Sequence, residues 1–125
     1  MLRANRRLLK RGGKLAFLTI EVAGDLGKRD RRRAAATGPP AIATRSTYPS
    51  LLRSAGLADI DRIDVTADYR VTAAAWMNAR NAHAQAFADE FGADELRERN
   101  AEGERRLSAI DDGLLKRFLY VAHRR

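Results

Sequence analysis

Cysteine is absent from this chain, which excludes disulfides, thiolate catalysis and cysteine-ligated zinc or iron–sulfur centres. Aromatic bulk is scarce as well, with four Phe, three Tyr and one Trp in 125 residues, and alanine supplies much of the apolar count. Alanine removes little area from water, so the few larger side chains must hold the core. No stretch approaches the roughly 18 consecutive apolar residues that a membrane span requires. The basic start (Arg3, Arg6, Arg7, Lys10, Arg11) is not followed by the apolar run of about 7–15 residues of a secretory signal, so the expected compartment is the cytoplasm. No His, Asp or Glu spacing suits a metal ion, and no Ser/His/Asp arrangement marks a nucleophile.

What is present fits one soluble domain: 45% hydrophobic and 32% charged residues over a length suited to a single core. The net charge is +8, and its distribution decides what it means. Residues 1–33 hold 11 Lys or Arg against Glu21, Asp25 and Asp30, whereas the remaining 92 residues hold 13 of each sign. Arginine outnumbers lysine 20 to 4 beside abundant alanine, a bias that GC-rich coding also produces. A solvated basic face is the preferred reading. A small nucleic-acid-binding module acting through residues 1–33 is the alternative, and steep salt dependence of binding would mark it.

Along the chain, Leu2 to Arg11 has the pattern of a helix end, with Leu2, Leu8 and Leu9 as an apolar stripe and Gly12-Gly13 as the stop. Lys14 to Val22 is a short, nearly continuous apolar run of strand formers, expected to be buried on both faces as in a parallel sheet. Ala23 to Thr47 is irregular, with room for a short helix over 29–36 that Gly38-Pro39-Pro40 must end. Tyr48 to Ala55 reads as a helix with Ser46 or Thr47 as cap, Pro49 in its first turn and Gly56 as its close. Leu57 to Thr66 alternates loosely, as a strand does. Trp76, Arg80, His83, Phe87 and Phe91 recur at intervals of 4, 3, 4 and 4, which places them on one face of a helix over 72–91 ended by Gly92. A second helix over 94–110 carries Leu96, Gly103, Leu107 and Ile110 inward, Asp111-Asp112-Gly113 turns, and Leu114 to His123 returns as a strand.

The junction Leu8-Leu9-Lys10-Arg11-Gly12-Gly13-Lys14-Leu15 resembles the helix-to-fifth-strand turn of class I S-adenosylmethionine-dependent methyltransferases, with Arg11 where proline is usual. Tyr48-Pro49-Ser50-Leu51-Leu52-Arg53-Ser54-Ala55-Gly56-Leu57 is similar to the family's short helix before the sixth strand, and Leu114 to Arg124 to its seventh, antiparallel strand. The resemblance implies an α/β fold, a partial Rossmann-like domain whose three-stranded mixed sheet places Leu114–His123 between Lys14–Val22 and Leu57–Thr66. It implies that residues 1–125 form one incomplete domain, the C-terminal half, with 67–111 as a helical, lid-like insertion. The implied function is the C-terminal portion of a transferase methylating a small molecule. It would be inactive alone, as a truncation, a split enzyme or a fragment, because the glycine-rich turn and ribose-binding acid that hold S-adenosylmethionine in the family have no counterpart here. Gly24 and Gly27 follow a strand but lack a matching helix start. No cofactor-binding residue, catalytic residue or metal ligand is therefore assigned.

Candidate substrate contacts are Glu21, near the carboxyl end of the first strand, and Tyr69, Arg70 and Trp76, leading into the inserted helices. Against these stand plainer readings: a solvated strand-end carboxylate for Glu21, and core packing for Trp76 with Phe87 and Phe91. His83 reads as a packed histidine, His123 has no partner near it in sequence, and Asp111-Asp112 reads as a turn. The last expectation is association. Leu15 to Ile20 carries neither charge nor proline, so the Lys14–Val22 strand would present an unprotected edge and pair with itself, with a missing N-terminal half or with a regulatory partner. Replacing Phe17 or Leu18 by lysine should then favour monomer.

Overall fold

The computed structural model describes residues 1–37 and 46–125, so Gly38-Pro39-Pro40 lies outside the described residues. Among the described residues there are six helices and three strands in the order α1 (Leu2–Leu8), β1 (Lys14–Val22), α2 (Lys28–Thr37), α3 (Tyr48–Ser54), β2 (Leu57–Asp64), α4 (Thr66–Ala82), α5 (Ala84–Phe91), α6 (Ala93–Asp111) and β3 (Leu115–Arg124). None of these helices is long and apolar enough to cross a membrane.

The sheet order is β1-β3-β2, with β3 antiparallel to both neighbours. The central place of the last strand is the expected one. Both ladders are antiparallel, so the three-stranded sheet is antiparallel throughout. β1 and β3 pair in unbroken register from Lys14↔His123 to Val22↔Leu115. β2 is interrupted between Ala58 and Asp61, where Asp59 takes a φ of 48°. This bulge shifts side-chain parity, so Leu57 and Ile60, three residues apart, both reach the same hydrophobic cluster.

At the entry to β1, Leu9 ends α1 in extended backbone, and Gly12 adopts a φ of 75°, which a side chain would resist. Gly13 is needed for a different reason: a Cβ there would lie 2.8 Å from the Lys10 carbonyl oxygen. The turn is tied to the end of β3, where the Gly12 amide donates to the Arg124 carbonyl at 2.7 Å and the Arg124 amide to that of Gly13 at 2.9 Å. The Arg124 guanidinium donates to the Arg6 and Leu9 carbonyls, satisfying the last turn of α1. Of the α1 stripe, Leu2 and Leu9 pack inward while Leu8 stays exposed.

α1 and α3 cover one face of the sheet. Leu52 of α3 is fully buried against Leu57, Phe118, Tyr120 and Ala122, with Leu15, Phe17 and Tyr48 around them. Thr47 caps α3 by accepting from the Ser50 amide at 3.3 Å. α2, α4 and α6 lie on the other face, where Ala34, Tyr69, Ala109, Ile110, Leu114 and Leu115 form a second cluster with Ile20 and Val22. Those helices reach only the carboxyl end of β1. Burial along β1 consequently alternates over residues 14–18, with Leu18 half exposed, and becomes two-sided only from Thr19 onward. The expectation of a strand buried on both faces thus holds for its second half alone.

The inserted helices depart from expectation in one respect. His83, at φ −114° and ψ 32°, interrupts the run over 66–91 and yields two helices where one was expected. Neither glycine nor proline marks the break.

Candidate functional site

Glu21 lies on the α1/α3 face, near the end of β1. Its Oε2 accepts from the Thr19 hydroxyl at 2.6 Å and from the Tyr120 hydroxyl at 2.9 Å. Arg62 Nε in turn donates to the Tyr120 oxygen at 3.1 Å, and its guanidinium sits 3.6 Å from the centre of the Phe118 ring. Burial, reinforced by the hydrogen bond to Glu21, raises the Tyr120 phenol above its ordinary pKa of 10.0, although Arg62 acts the other way. Glu21 is thus a carboxylate held in place by two hydroxyls, not a loose strand-end charge. Beside this group, Val22, Arg62, Asp64, Lys116 and Phe118 line an open crevice of about 480 Å³ at the strand end.

Tyr69 and Trp76 lie on the other side of the sheet. Successive residues of a strand point to opposite faces, and Ile20, next to Glu21, packs with the cluster that contains Tyr69. Glu21 and Tyr69 therefore do not share a pocket. Tyr69, Thr72 and Trp76 of α4, Arg106 of α6 and Arg117 of β3 instead enclose a cavity of about 340 Å³ with Ile20 at its floor. Tyr69 is 7% exposed and its hydroxyl has no hydrogen-bond partner; the Nε atoms of Arg106 and Arg117 are likewise buried and unpartnered. The Arg117 guanidinium lies 5.2 Å from the centre of the Tyr69 ring. Burial raises the Tyr69 phenol above 10.0, partly offset by the positive charges of Arg106 and Arg117. Gly103 sets the spacing of this cavity. A Cβ there would meet Met77 Sδ at 2.8 Å and an Arg80 nitrogen at 3.1 Å, so glycine lets α6 approach α4.

Arg70 does not line this cavity. It forms a two-pronged, exposed ion pair with Asp111, at 2.6 Å and 3.1 Å, which joins α4 to the end of α6 and holds the Asp111 carboxyl below its ordinary pKa. Asp112 pairs with Arg33 of α2 at 2.7 Å, so the two adjacent aspartates point apart and anchor different helices. Trp76, Arg80, His83, Phe87 and Phe91 do share one surface, as their spacing suggests, but they line an open groove between α4, α5 and α6. Trp76 is 66% and Phe91 58% exposed, so they are not core. His123 Nδ1 lies 3.3 Å from the Asp59 carbonyl oxygen.

Three further observations bear on function. No group of His, Asp and Glu able to hold a metal ion occurs among the described residues. Of the basic residues before position 34, Arg3, Arg6 and Arg7 lie on α1 and Lys28, Arg29, Arg31, Arg32 and Arg33 on α2, and these two helices pack on opposite faces of the sheet, so the two groups do not form one stripe. Gly24 and Gly27 follow β1, and a Cβ added at either would meet no protein atom within 4 Å, so packing within the chain does not require glycine at these positions.

Arg106 and Arg117 escape the reading of the sequence, yet both leave a trace in it. Arg106 falls three residues after Gly103 and four before Ile110, on the inner stripe of its helix. Arg117, with Lys116, interrupts the apolar run over 114–122.

No family model and no curated protein matches the chain. Its fold does match solved structures. Phosphoethanolamine N-methyltransferase 2 of Haemonchus contortus, solved with phosphomonomethylethanolamine and S-adenosylhomocysteine, superposes with a TM-score of 0.80 over 98% of this chain at 15% identity. The selenomethionine form of that enzyme with S-adenosyl-L-methionine matches equally well, at a TM-score of 0.80 and 15% identity over 98% of this chain. The chain spans 29% of the length of either structure, so what it shares is part of a methyltransferase fold.

Proposed function

We propose that this chain is the C-terminal portion of an S-adenosylmethionine-dependent methyltransferase acting on a small molecule, and that it is inactive alone. The observation that carries this reading is the extent of the match: nearly the whole chain follows part of a methyltransferase, with the last strand between the other two. In this reading α4, α5 and α6 serve as a lid over the acceptor, and Glu21 is a substrate-facing carboxylate fixed by Thr19 and Tyr120. The rest of the sheet supplies the cofactor site, and the whole enzyme works in the cytoplasm.

The open edge of β1 is where the rest of the sheet would join. Among the described residues β1 pairs with β3 alone. Across the sheet, Leu18, Leu119 and Ile63 stand in one row in register, and both Leu18 and Ile63 are about half exposed, at 50% and 48%. An apolar row beside unpaired backbone groups is a pairing surface. Without its partner the chain covers that surface with copies of itself.

Two measurements test the proposal. Calorimetric titration of S-adenosylmethionine into the chain should show no binding, and binding should return on co-expression with the polypeptide encoded immediately upstream. A micromolar dissociation constant for the chain alone would overturn the reading. Light scattering should find self-association that Leu18→Lys reduces. Phe17 is the poorer site for that substitution because its ring stacks on Tyr120 at 5.4 Å within the closed core.

A further inference from the structure

We infer that the cavity between α4, α6 and β3 is a binding site for a small organic oxyanion, a phosphate or carboxylate head group on a short apolar body. This inference goes beyond the methyltransferase reading and does not depend on it.

The chemistry of the walls selects the ligand. Tyr69, Arg80, Arg106 and Arg117 line the cavity, and among the described residues no carboxylate lines it with them. Arg80 spends its nitrogens on neutral acceptors, the Asn100 side-chain oxygen at 3.3 Å and the Arg99 carbonyl at 3.4 Å. Asp111 and Asp112, at the end of α6, are instead engaged by Arg70 and Arg33 on the surface. Like charges crowded without a counter-ion are unfavourable, and a buried donor with no acceptor is more so. Here three buried donors lack acceptors: the Tyr69 hydroxyl and the Nε atoms of Arg106 and Arg117. Each offers a hydrogen and none needs one. An oxyanion, acceptor on every oxygen, would satisfy all three and neutralise the charge.

Size and shape narrow the class. A cavity of about 340 Å³ lies at the lower end of small-ligand pockets and has room for a single anionic group with a short tail. Trp76 and Arg80 border both this cavity and the groove that leads to Phe87 and Phe91. The apolar body therefore extends from the buried head past the indole of Trp76.

Trp76 is the sole tryptophan, so its fluorescence reports occupancy of the full chain directly. Inorganic phosphate should change that fluorescence saturably, and phenyl phosphate should do so at lower concentration because its ring reaches Trp76. Tyr69→Phe, which removes one donor and keeps the packing, should weaken phosphate binding about three- to tenfold, and Arg117→Gln by about tenfold or more. The double variant Arg29→Gln/Arg31→Gln, on the exposed side of α2, should bind as the parent does. Benzoate in place of phenyl phosphate asks whether a carboxylate suffices; Tyr69-dependent binding of either head group supports the inference. Circular dichroism checks each variant for folding, and if Arg117→Gln unfolds, Tyr69→Phe decides. Absence of saturable binding by any of the three probes would overturn the inference and leave the cavity to solvent. So would phosphate binding that survives Tyr69→Phe unchanged and vanishes in the α2 variant.

Discussion

On the face that carries α1 and α3, three aromatic rings gather around that of Tyr120, with Phe17 and Tyr48 at 5.4 Å and Phe118 at 6.3 Å from it. The polar groups at the far end of β1 are linked in one chain, from Thr19 through Glu21 and Tyr120 to Arg62, and Arg124 Nε, beside α1, is the one buried donor without a partner among the described residues of this face. The opposite face is built otherwise. Its helices cover one end of β1, leave Leu18 and Ile63 open to water at the other, and enclose donors without acceptors between them. The first side is largely closed by its own residues, whereas the second leaves both a surface and a cavity to something else.

The largest test of that division removes bulk from each side. Leu52→Ala empties a fully buried site beneath the aromatic cluster and should cost about 2–5 kcal/mol in urea unfolding. Leu18→Ala, at a half-exposed position on the open face, should cost less than about 1 kcal/mol. Against a total stability of about 5–15 kcal/mol the first change is severe and the second minor. Similar losses at the two sites would mean that the second face is closed in solution, by association or otherwise.

A sharper comparison removes one oxygen from each side. Tyr120→Phe deletes a hydroxyl that donates to Glu21 and accepts from Arg62, and should destabilise by about 1–3 kcal/mol. Tyr69→Phe deletes a buried hydroxyl that bonds to nothing, and should be neutral or stabilising by up to about 1 kcal/mol without ligand. Thermal or urea unfolding measures both. A loss at Tyr69 equal to that at Tyr120 would show that solvent already serves the cavity as a full partner.

The two faces were not equally legible in the sequence. The closed face announces itself through Leu15 and Phe17 in an apolar run, through Leu51-Leu52 after a capped helix start, and through a final strand rich in Phe118 and Tyr120. These signals are local, and the central place of β3 was implied only by the resemblance to the methyltransferases that the paired glycines and the helix–strand order carry. The open face depends on what lies far apart in sequence. Tyr69, Arg106 and Arg117 come from three elements, and an arginine in a charged helix looks the same whether it faces water or a cavity. Burial of Arg106 is decided by Gly103, which brings α6 close to α4. The His83 break was illegible for another reason: its backbone departs from helix without a residue type that requires it. Exposure of Leu18 could not be read at all, since an apolar run records the cover a strand is fitted for rather than the cover present.

The smallest expected effect is at alkaline pH, and its sign follows from the tyrosines. Tyr120 and Tyr69 both have folded-state values above 10.0, in each case chiefly because burial penalises the phenolate. In the unfolded chain each phenol ionises near its ordinary value. A raised folded value means that the folded state holds its proton more tightly, so the associated stabilisation is complete below pH of about 10 and is lost as pH rises through the folded values. The urea midpoint should therefore decline from about pH 10 upward on account of these groups. Glu21 adds to the penalty on the Tyr120 phenolate and Arg62 relieves part of it, while Arg106 and Arg117 relieve part of that on the phenolate of Tyr69. Tyr120→Phe and Tyr69→Phe should accordingly each flatten the alkaline limb. If Tyr69→Phe left that limb unchanged, the phenol would not be held away from water, and the closed cavity from which the anion site is argued would not exist in solution.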